Sequence, residues 1–83
     1  MPNKLLIVDD EPKMGALLAR SLEREGYEVA ATTKGAEAIE LLKGGGIDVL
    51  ITDLRMPGMD GLELLQRAKA IAPQTDVILM TAF

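Results

Sequence analysis

The chain has 83 residues and a net charge of −4, and its 48% of hydrophobic residues is typical of one folded globular domain rather than a disordered segment. It contains neither cysteine nor histidine, which excludes disulfides, thiolate or imidazole metal sites and every mechanism with a histidine base. Because it has no long basic cluster, signal peptide or membrane-length apolar run, we predict a cytoplasmic protein that binds neither nucleic acid directly nor a membrane.

The first half of the chain alternates between strand and helix patterns. Leu5–Val8 is a short apolar run that predicts a strand, and Pro12 then opens a helical segment that Gly26 ends. The apolar residues at helical spacing in this segment are Met14, Leu17, Leu18 and Leu22. Glu28–Thr32 is shorter and more mixed in polarity, which predicts an edge strand.

The second half repeats this alternation. The second helical face is predicted from Ala36, Ile39 and Leu42 or Leu41. Gly44–Gly46 closes this helix, and Asp48–Thr52 is the next apolar strand. Asp60 is predicted to cap a third helix with Glu63 three places on, as in a capping box, and Asp76–Met80 gives a fourth strand. The buried stripe predicted for the third helix is Leu62, Leu65, Ala68 and Ala72. Strict alternation of this kind predicts an α/β fold with a parallel sheet covered by helices.

Two of the predicted strands carry no polar alternation. Val49–Ile51 and Val77–Met80 are continuously apolar, which predicts burial on both faces. Only three residues follow Met80, so no later segment pairs the outer edge of the fourth strand, and three helices are too few to cover both faces. We therefore expect residues 1–83 to be a single, C-terminally incomplete domain, whose exposed fourth-strand edge invites pairing with another chain.

Three carboxylates follow the predicted strands. Asp9 and Asp10 end the first strand and Asp53 ends the third, so in a doubly wound sheet they would converge where the strand order reverses. Two such charges about 5 Å apart repel by roughly 3 kcal/mol at an effective dielectric near 20, which favours either a retained proton or a bound cation. An all-oxygen site suits Mg²⁺ or Mn²⁺. A carboxylate beside such a cation can act as a nucleophile toward a phosphoryl group.

Each of these residues also has a plain structural interpretation. Asp9 and Asp10 would suit the start of a helix, and Asp53 would suit a turn ahead of a Pro-Gly pair. Thr81 alone is a common way to end a strand. The methionines of the loop after Asp53 are interpreted as packing residues, namely Met56 and Met59. Only the joint arrangement favours a functional site.

Together these residues match a known family. The Asp9-Asp10 pair, the segment Asp53–Gly61 with the pattern D-x-x-M-P-x-M-D-G, and Thr81-Ala82 after the fourth strand resemble the receiver domain of two-component response regulators. The resemblance implies a CheY-like or flavodoxin-like doubly wound parallel sheet in the order 2-1-3-4, here without the fifth strand and the last helices. The segment is also similar to receivers of enhancer-binding AAA+ activators of the NtrC type.

The resemblance also implies a role for each site residue. Asp53 would accept a phosphoryl group from a sensor histidine kinase or a phosphotransfer protein. Asp10 and Asp53 would ligate Mg²⁺ directly, Asp9 would act largely through water, and Arg55 would contribute its backbone carbonyl. Thr81 would hydrogen-bond the phosphoryl oxygens and move inward on activation. The output domain or partner that such a module switches is absent from this chain.

One departure from the family limits the expected activity. Receivers carry a lysine at the end of a fifth strand, whereas every lysine here precedes the fourth strand. We expect at most Mg²⁺-dependent self-phosphorylation and self-dephosphorylation of Asp53, without turnover of an external substrate. The alternative is a phosphorylation-incompetent fragment that acts as a domain-swapped or structural interaction unit, with a homodimer through the fourth-strand edge. A phosphatase of the haloacid-dehalogenase type is disfavoured, because Arg55 stands where it needs a second acid.

Overall fold

A computed structural model describes residues 3–80, which form four strands and three helices in alternation, as predicted. The strands are β1 (Lys4–Val8), β2 (Glu28–Thr32), β3 (Val49–Asp53) and β4 (Asp76–Met80). The helices are α1 (Pro12–Arg24), α2 (Gly35–Lys43) and α3 (Gly61–Ile71). None of the helices within residues 3–80 combines the length and the apolar character needed to cross a bilayer.

The four strands form one parallel sheet in the order β2-β1-β3-β4. β1 pairs on both sides, so that Ile7 lies opposite Ala31 of β2 and Ile51 of β3. The strand order therefore reverses at β1, and the carboxyl ends of β1 and β3 lie side by side at this switch point. The predicted doubly wound sheet in the order 2-1-3-4 is confirmed, as is the edge position of β2.

The main core lies between one face of the sheet and the helices α2 and α3. Its buried side chains are Leu6, Val8, Ala38, Ile39, Leu42, Ile47, Leu50, Leu64 and Ala68. Leu6 and Leu50 are neighbours in the β1–β3 ladder, and both are fully buried. Ile7, on the opposite face of β1, is also fully buried, as expected for a central parallel strand. Met56 and Met59 pack against this core, which agrees with their interpretation as packing residues.

The buried faces predicted for α2 and α3 are confirmed at Ile39, Leu42 and Ala68 and are wrong at Ala36 and Leu62. α2 buries Leu42 and leaves Leu41 42% exposed, and Ala36 is also exposed. α3 buries Leu64, whereas the predicted Leu62 is 53% exposed. Residues that are two positions apart in a helix are rotated by about 200° around its axis, so Leu62 and Leu64 lie on opposite sides of α3. Apolar periodicity predicts that a segment is helical, but in a sequence this rich in leucine and alanine more than one face of the helix has the apolar spacing of a buried face.

The opposite face of the sheet carries α1, which lies over β1 and β2. Within residues 3–80 the β3–β4 half of this face is open. Met14 and Leu17 of α1 are 50% and 60% exposed, and Ile78 of β4 is 51% exposed. A groove of about 440 Å³ on this face is lined by residues of α1, by Met80 and by the carboxylate residues Asp9 and Asp53. None of the described residues covers the α1 side of β4, so the burial that its apolar run predicts is incomplete there, in agreement with the expectation that three helices are too few to cover both faces.

α3 begins with a side-chain cap at the predicted residue. The Asp60 carboxylate accepts a hydrogen bond from the Glu63 N–H at 2.9 Å. This bond satisfies one of the N–H groups that the first turn of a helix leaves unpaired. The Glu63 carboxylate pairs with Arg67 at 2.9 Å, one turn later. The cap fixes where α3 starts, and the start of α3 lies against the end of β3.

Candidate functional site

The three acidic residues singled out from the sequence lie together at the carboxyl ends of β1 and β3. Asp9, Asp10 and Asp53 each offer one carboxylate oxygen, and these oxygens lie within 4.8 Å of one another. The cause is the strand pairing, since Val8 lies opposite Thr52 in the parallel ladder. The residues that follow these two positions must therefore emerge side by side.

Asp9 is the buried member of the cluster, with a relative exposure of 6%. Its Oδ1 accepts a hydrogen bond from the Glu11 N–H at 2.9 Å, and its own N–H donates to the Thr32 carbonyl at 3.2 Å. The first bond orients the carboxylate and the second fixes the end of β1 against β2. Asp10 is exposed beside it. One carboxylate is thus held by the main chain, and the next is open to solvent.

Asp53 is half-buried as the last residue of β3. Its Oδ1 accepts a hydrogen bond from the Arg55 N–H at 3.3 Å, which is longer than an ordinary N–H···O bond and therefore weak. The Asp53 carboxylate thus contacts the loop that follows it only weakly, and its oxygens are available to other ligands. Arg55 lies exposed next to it, and the role of its backbone carbonyl as a metal ligand stays a prediction.

The cluster concentrates negative charge. At 4.8 Å, two carboxylates repel by roughly 3 kcal/mol at the dielectric of a protein surface, before screening by salt. The ion pairs within residues 3–80 join Lys4 to Glu28, Lys43 to Glu40 and Arg67 to Glu63, so none of them neutralises the cluster. A small cation bound by oxygen ligands would remove this repulsion, and the donor set fits Mg²⁺.

The remaining predicted site residue, Thr81, lies outside the described residues. Met80, directly before it, ends β4 and lies opposite Asp53 in the β3–β4 ladder. The end of β4 is therefore beside the acidic cluster. The contact of Thr81 with a phosphoryl group stays a prediction.

Two residues contact the main chain of Asp53 in a way that was not predicted from the sequence. The Thr52 hydroxyl, fully buried, donates to the Asp53 carbonyl at 3.1 Å. Gly61 packs directly on the peptide between Asp53 and Leu54, and its N–H donates to the Leu54 carbonyl at 2.9 Å. The sequence offered two signals for them: Thr52 is a polar residue near the end of an apolar strand, and Gly61 is a glycine directly after a helix cap.

Comparison with known proteins places the sequence in a family. The family model described as the response regulator receiver domain matches residues 5–83. The transcriptional regulatory protein TcrA of Mycobacterium tuberculosis is 40% identical over 79 residues, which cover 95% of this chain and 31% of TcrA. The DNA-binding transcriptional regulator NtrC of Escherichia coli is 43% identical over 76 residues, covering 92% of this chain and 16% of NtrC. The chain therefore spans less than a third of the length of either relative.

Solved structures agree with the sequence comparison. The response regulator TrrA of Thermotoga maritima, crystallised in complex with Mg²⁺-BeF, superimposes with a TM-score of 0.90 at 37% identity, covering 98% of this chain and 70% of that chain. TrrA in complex with the histidine kinase ThkA superimposes with a TM-score of 0.89 and the same identity and coverage. The sequence match, the strand order and the fold all lead to one assignment. This chain belongs to the family of receiver domains of two-component response regulators.

Proposed function

We propose that this chain is a phosphoacceptor switch module, in which Asp53 takes a phosphoryl group from a histidine kinase with the help of Mg²⁺. The observation that carries the proposal is the convergence of three aspartate oxygens within 4.8 Å at the end of β1 and β3, in a chain of the receiver family. The switched output would lie in a partner or in another domain, because the relatives are longer regulators.

The positions of the aspartates support distinct roles toward the metal. Asp10 is exposed and Asp53 is half-buried, so both offer oxygens to an ion in the crevice. Asp9 is buried and already accepts the Glu11 N–H, which suits a contact through water. The Arg55 carbonyl would add a fourth protein oxygen. When bound, Mg²⁺ would offset charge on the transferring phosphoryl oxygens. TrrA, at 37% identity, is solved with Mg²⁺-BeF.

Asp53 is the nucleophile in the proposed reaction. One of its carboxylate oxygens attacks phosphorus and forms an acyl phosphate. The phosphorus–nitrogen bond of the kinase phosphohistidine breaks, and the imidazole nitrogen leaves with the bonding electron pair. Asp53 is accessible for this attack because it ends a strand at the open mouth of the switch point. The complex of TrrA with ThkA supports a histidine kinase as the donor.

The proposal is tested by measuring the intact mass of the chain after incubation with acetyl phosphate. We expect a single hydroxylamine-labile phosphoryl adduct with Mg²⁺ and no adduct when EDTA removes the metal, because the clustered carboxylates repel the incoming phosphoryl group without a cation. Circular dichroism on the same sample confirms that the chain is folded. A folded chain that gains no adduct, or gains it equally with EDTA, would overturn the proposal.

A second candidate function is self-association through β4. Within residues 3–80, β4 is an edge strand, and its Ile78 is half exposed. An uncovered apolar strand edge can add a strand from another copy of the chain. We expect a molar mass that rises with concentration in sedimentation equilibrium and does not respond to Mg²⁺ or acetyl phosphate. A monomer at every concentration would exclude it. The C-terminally incomplete domain and the cytoplasmic location stay predictions.

A further inference from the structure

We propose that Gly61 and Thr52 are positioning residues for Asp53, which hold the main chain around its carboxylate from two sides. The inference rests on the proposed function, in which Asp53 is the phosphoacceptor. Neither residue belongs to the acidic cluster. Both act on the peptide that joins Asp53 to Leu54, and that peptide sets where the carboxylate and the following loop lie.

Gly61 allows α3 to start directly on this peptide. A Cβ atom at Gly61 would lie 2.4 Å from the Asp53 carbonyl oxygen and 2.9 Å from the Leu54 Cα. Both distances are shorter than real Cβ contacts, and both neighbours are main-chain atoms that cannot rotate away. The Gly61 N–H also donates to the Leu54 carbonyl at 2.9 Å. Only glycine permits this close approach, and any side chain here must displace the end of β3 or the start of α3.

The same peptide is held from its other sides. The Leu54 N–H donates to the Met80 carbonyl of β4 at 2.8 Å, which fixes one side of the peptide to the sheet. The Thr52 hydroxyl donates to the Asp53 carbonyl at 3.1 Å from a fully buried position. The peptide thus lies between α3, β4 and the Thr52 side chain. A side chain at Gly61 that displaces this peptide also moves the Asp53 carboxylate and the Arg55 loop, because the peptide is held to β4 and to Thr52.

Small shifts matter at this site. Mg²⁺ requires near-ideal octahedral geometry with short bonds to oxygen, and functional groups must be held to within about 0.5 Å. Relieving the contact at Gly61 would need a displacement of about 1 Å, and a misplacement of that size can cost on the order of a hundredfold in activity. Gly61→Ala should therefore weaken Mg²⁺ binding by the folded protein, apart from any effect on the free energy of unfolding.

A matched glycine provides the control. Gly15 is also buried in a helix against a site aspartate, but a Cβ there would lie 3.8 Å from the Asp9 Cβ, an ordinary van der Waals contact. Alanine has the higher helix propensity, so Gly15→Ala is accommodated without displacing the site. The two variants make the same chemical change beside the same acidic cluster. They differ in whether main-chain atoms have to move.

A matched pair of threonines provides a second, milder test. Thr52→Val removes the hydroxyl that bonds the Asp53 carbonyl and keeps the shape of the side chain. Thr75 is equally buried, at 3% exposure, and its hydroxyl donates to the Ile47 carbonyl at 2.7 Å at the opposite end of the sheet. Both valine variants lose one hydrogen bond that a buried threonine donates, which costs about 1 kcal/mol of unfolding free energy. Only the loss at Thr52 should reach the site.

The experiment is a Mg²⁺ titration of the ¹⁵N-labelled chain followed by NMR, with urea unfolding of each variant in parallel. The dissociation constant of the folded protein is the decisive readout, because a purely structural role would change the unfolding free energy and leave this constant unchanged. We expect Gly61→Ala to raise the Mg²⁺ dissociation constant about tenfold or more, and Thr52→Val to raise this constant about threefold. Gly15→Ala and Thr75→Val should stay within about twofold of the parent.

Each outcome decides between the two proposals. A parent that binds Mg²⁺, with Gly61→Ala and Thr52→Val binding equally well, overturns the positioning role alone. A parent that binds no Mg²⁺ overturns the proposed function, and the metal-free spectra then test positioning. The positioning role is supported if the amide chemical shifts of Leu54 and Arg55 change in Gly61→Ala but not in Gly15→Ala. It is overturned if these shifts do not change in Gly61→Ala. If Gly61→Ala does not fold, the two threonine variants decide by the same criteria.

Discussion

Asp53→Asn is expected to abolish phosphoryl uptake from acetyl phosphate in the presence of Mg²⁺. Asparagine keeps the size of the side chain, but its neutral amide oxygen is a poor nucleophile and a poor Mg²⁺ ligand. The neighbouring carboxylates of Asp9 and Asp10 lie at the end of β1, and in the proposed function they hold the metal rather than attack phosphorus. Intact mass spectrometry measures the adduct, and peptide mapping assigns its position. The parent should gain one phosphoryl group on Asp53, and the variant should gain none.

Asp48→Asn is the matched control for this result. Asp48 is exposed just before β3 begins, where its carboxylate accepts the Lys4 N–H at 2.8 Å, at the opposite end of the sheet from the acidic cluster. The same chemical change there should leave phosphoryl uptake intact. Asp53→Asn also removes one of three repelling charges, so its unfolding free energy should not fall. Uptake by Asp53→Asn at the rate of the parent would show that the phosphoacceptor lies elsewhere.

The parallel sheet and the convergence of the carboxylates could be predicted because few physical rules control them, whereas the strand order 2-1-3-4 was implied by the resemblance to receivers. Short apolar runs alternating with helical spacing predict a parallel sheet, and right-handed crossovers restrict its topology. Asp9 and Asp53 directly follow or end two of these runs, so parallel pairing alone places them at one edge. The resemblance to receivers named the same residues. Alternation and strand ends were enough for the sheet and the acidic edge, and the resemblance supplied the order of the strands.

The details that failed depend on distances that a pattern does not contain. Leu62 and Leu64 both fit a helix of 3.6 residues per turn, and the choice between them follows from how α3 lies on the sheet after Asp60 and Gly61. For β4 the apolar run indicated that both faces need cover, and the count of helices indicated that one face would lack it, but the pattern did not say that Ile78 lies on the uncovered face. The close approach of Gly61 to Asp53 is likewise a three-dimensional fact between residues eight positions apart.

Leu50→Ala is expected to lower the free energy of unfolding by about 3 kcal/mol. Leu50, the second residue of β3, is fully buried and packs in the core between the sheet and α2 and α3. Removing it costs the transfer free energy of the lost methyl and methylene groups and leaves a cavity that the surrounding side chains fill only in part. A chain of this length has a stability of only about 4–12 kcal/mol, so the loss is a large fraction of the total. Urea unfolding followed by circular dichroism measures it.

Leu41→Ala controls for the chemical change, because Leu41 is 42% exposed on α2 and truncation there should cost less than about 1 kcal/mol.

The effect of the core on stability can also be separated from its effect on the acidic cluster. Leu50 lies three residues before Asp53, with its side chain on the face toward α2 and α3. If the core only supports the fold, Leu50→Ala reduces the folded population while the molecules that stay folded bind Mg²⁺ as the parent does. An equal loss of unfolding free energy in both leucine variants would contradict the core position of Leu50. A weaker Mg²⁺ affinity of the folded Leu50→Ala variant would mean that the packing of β3 also sets the position of Asp53.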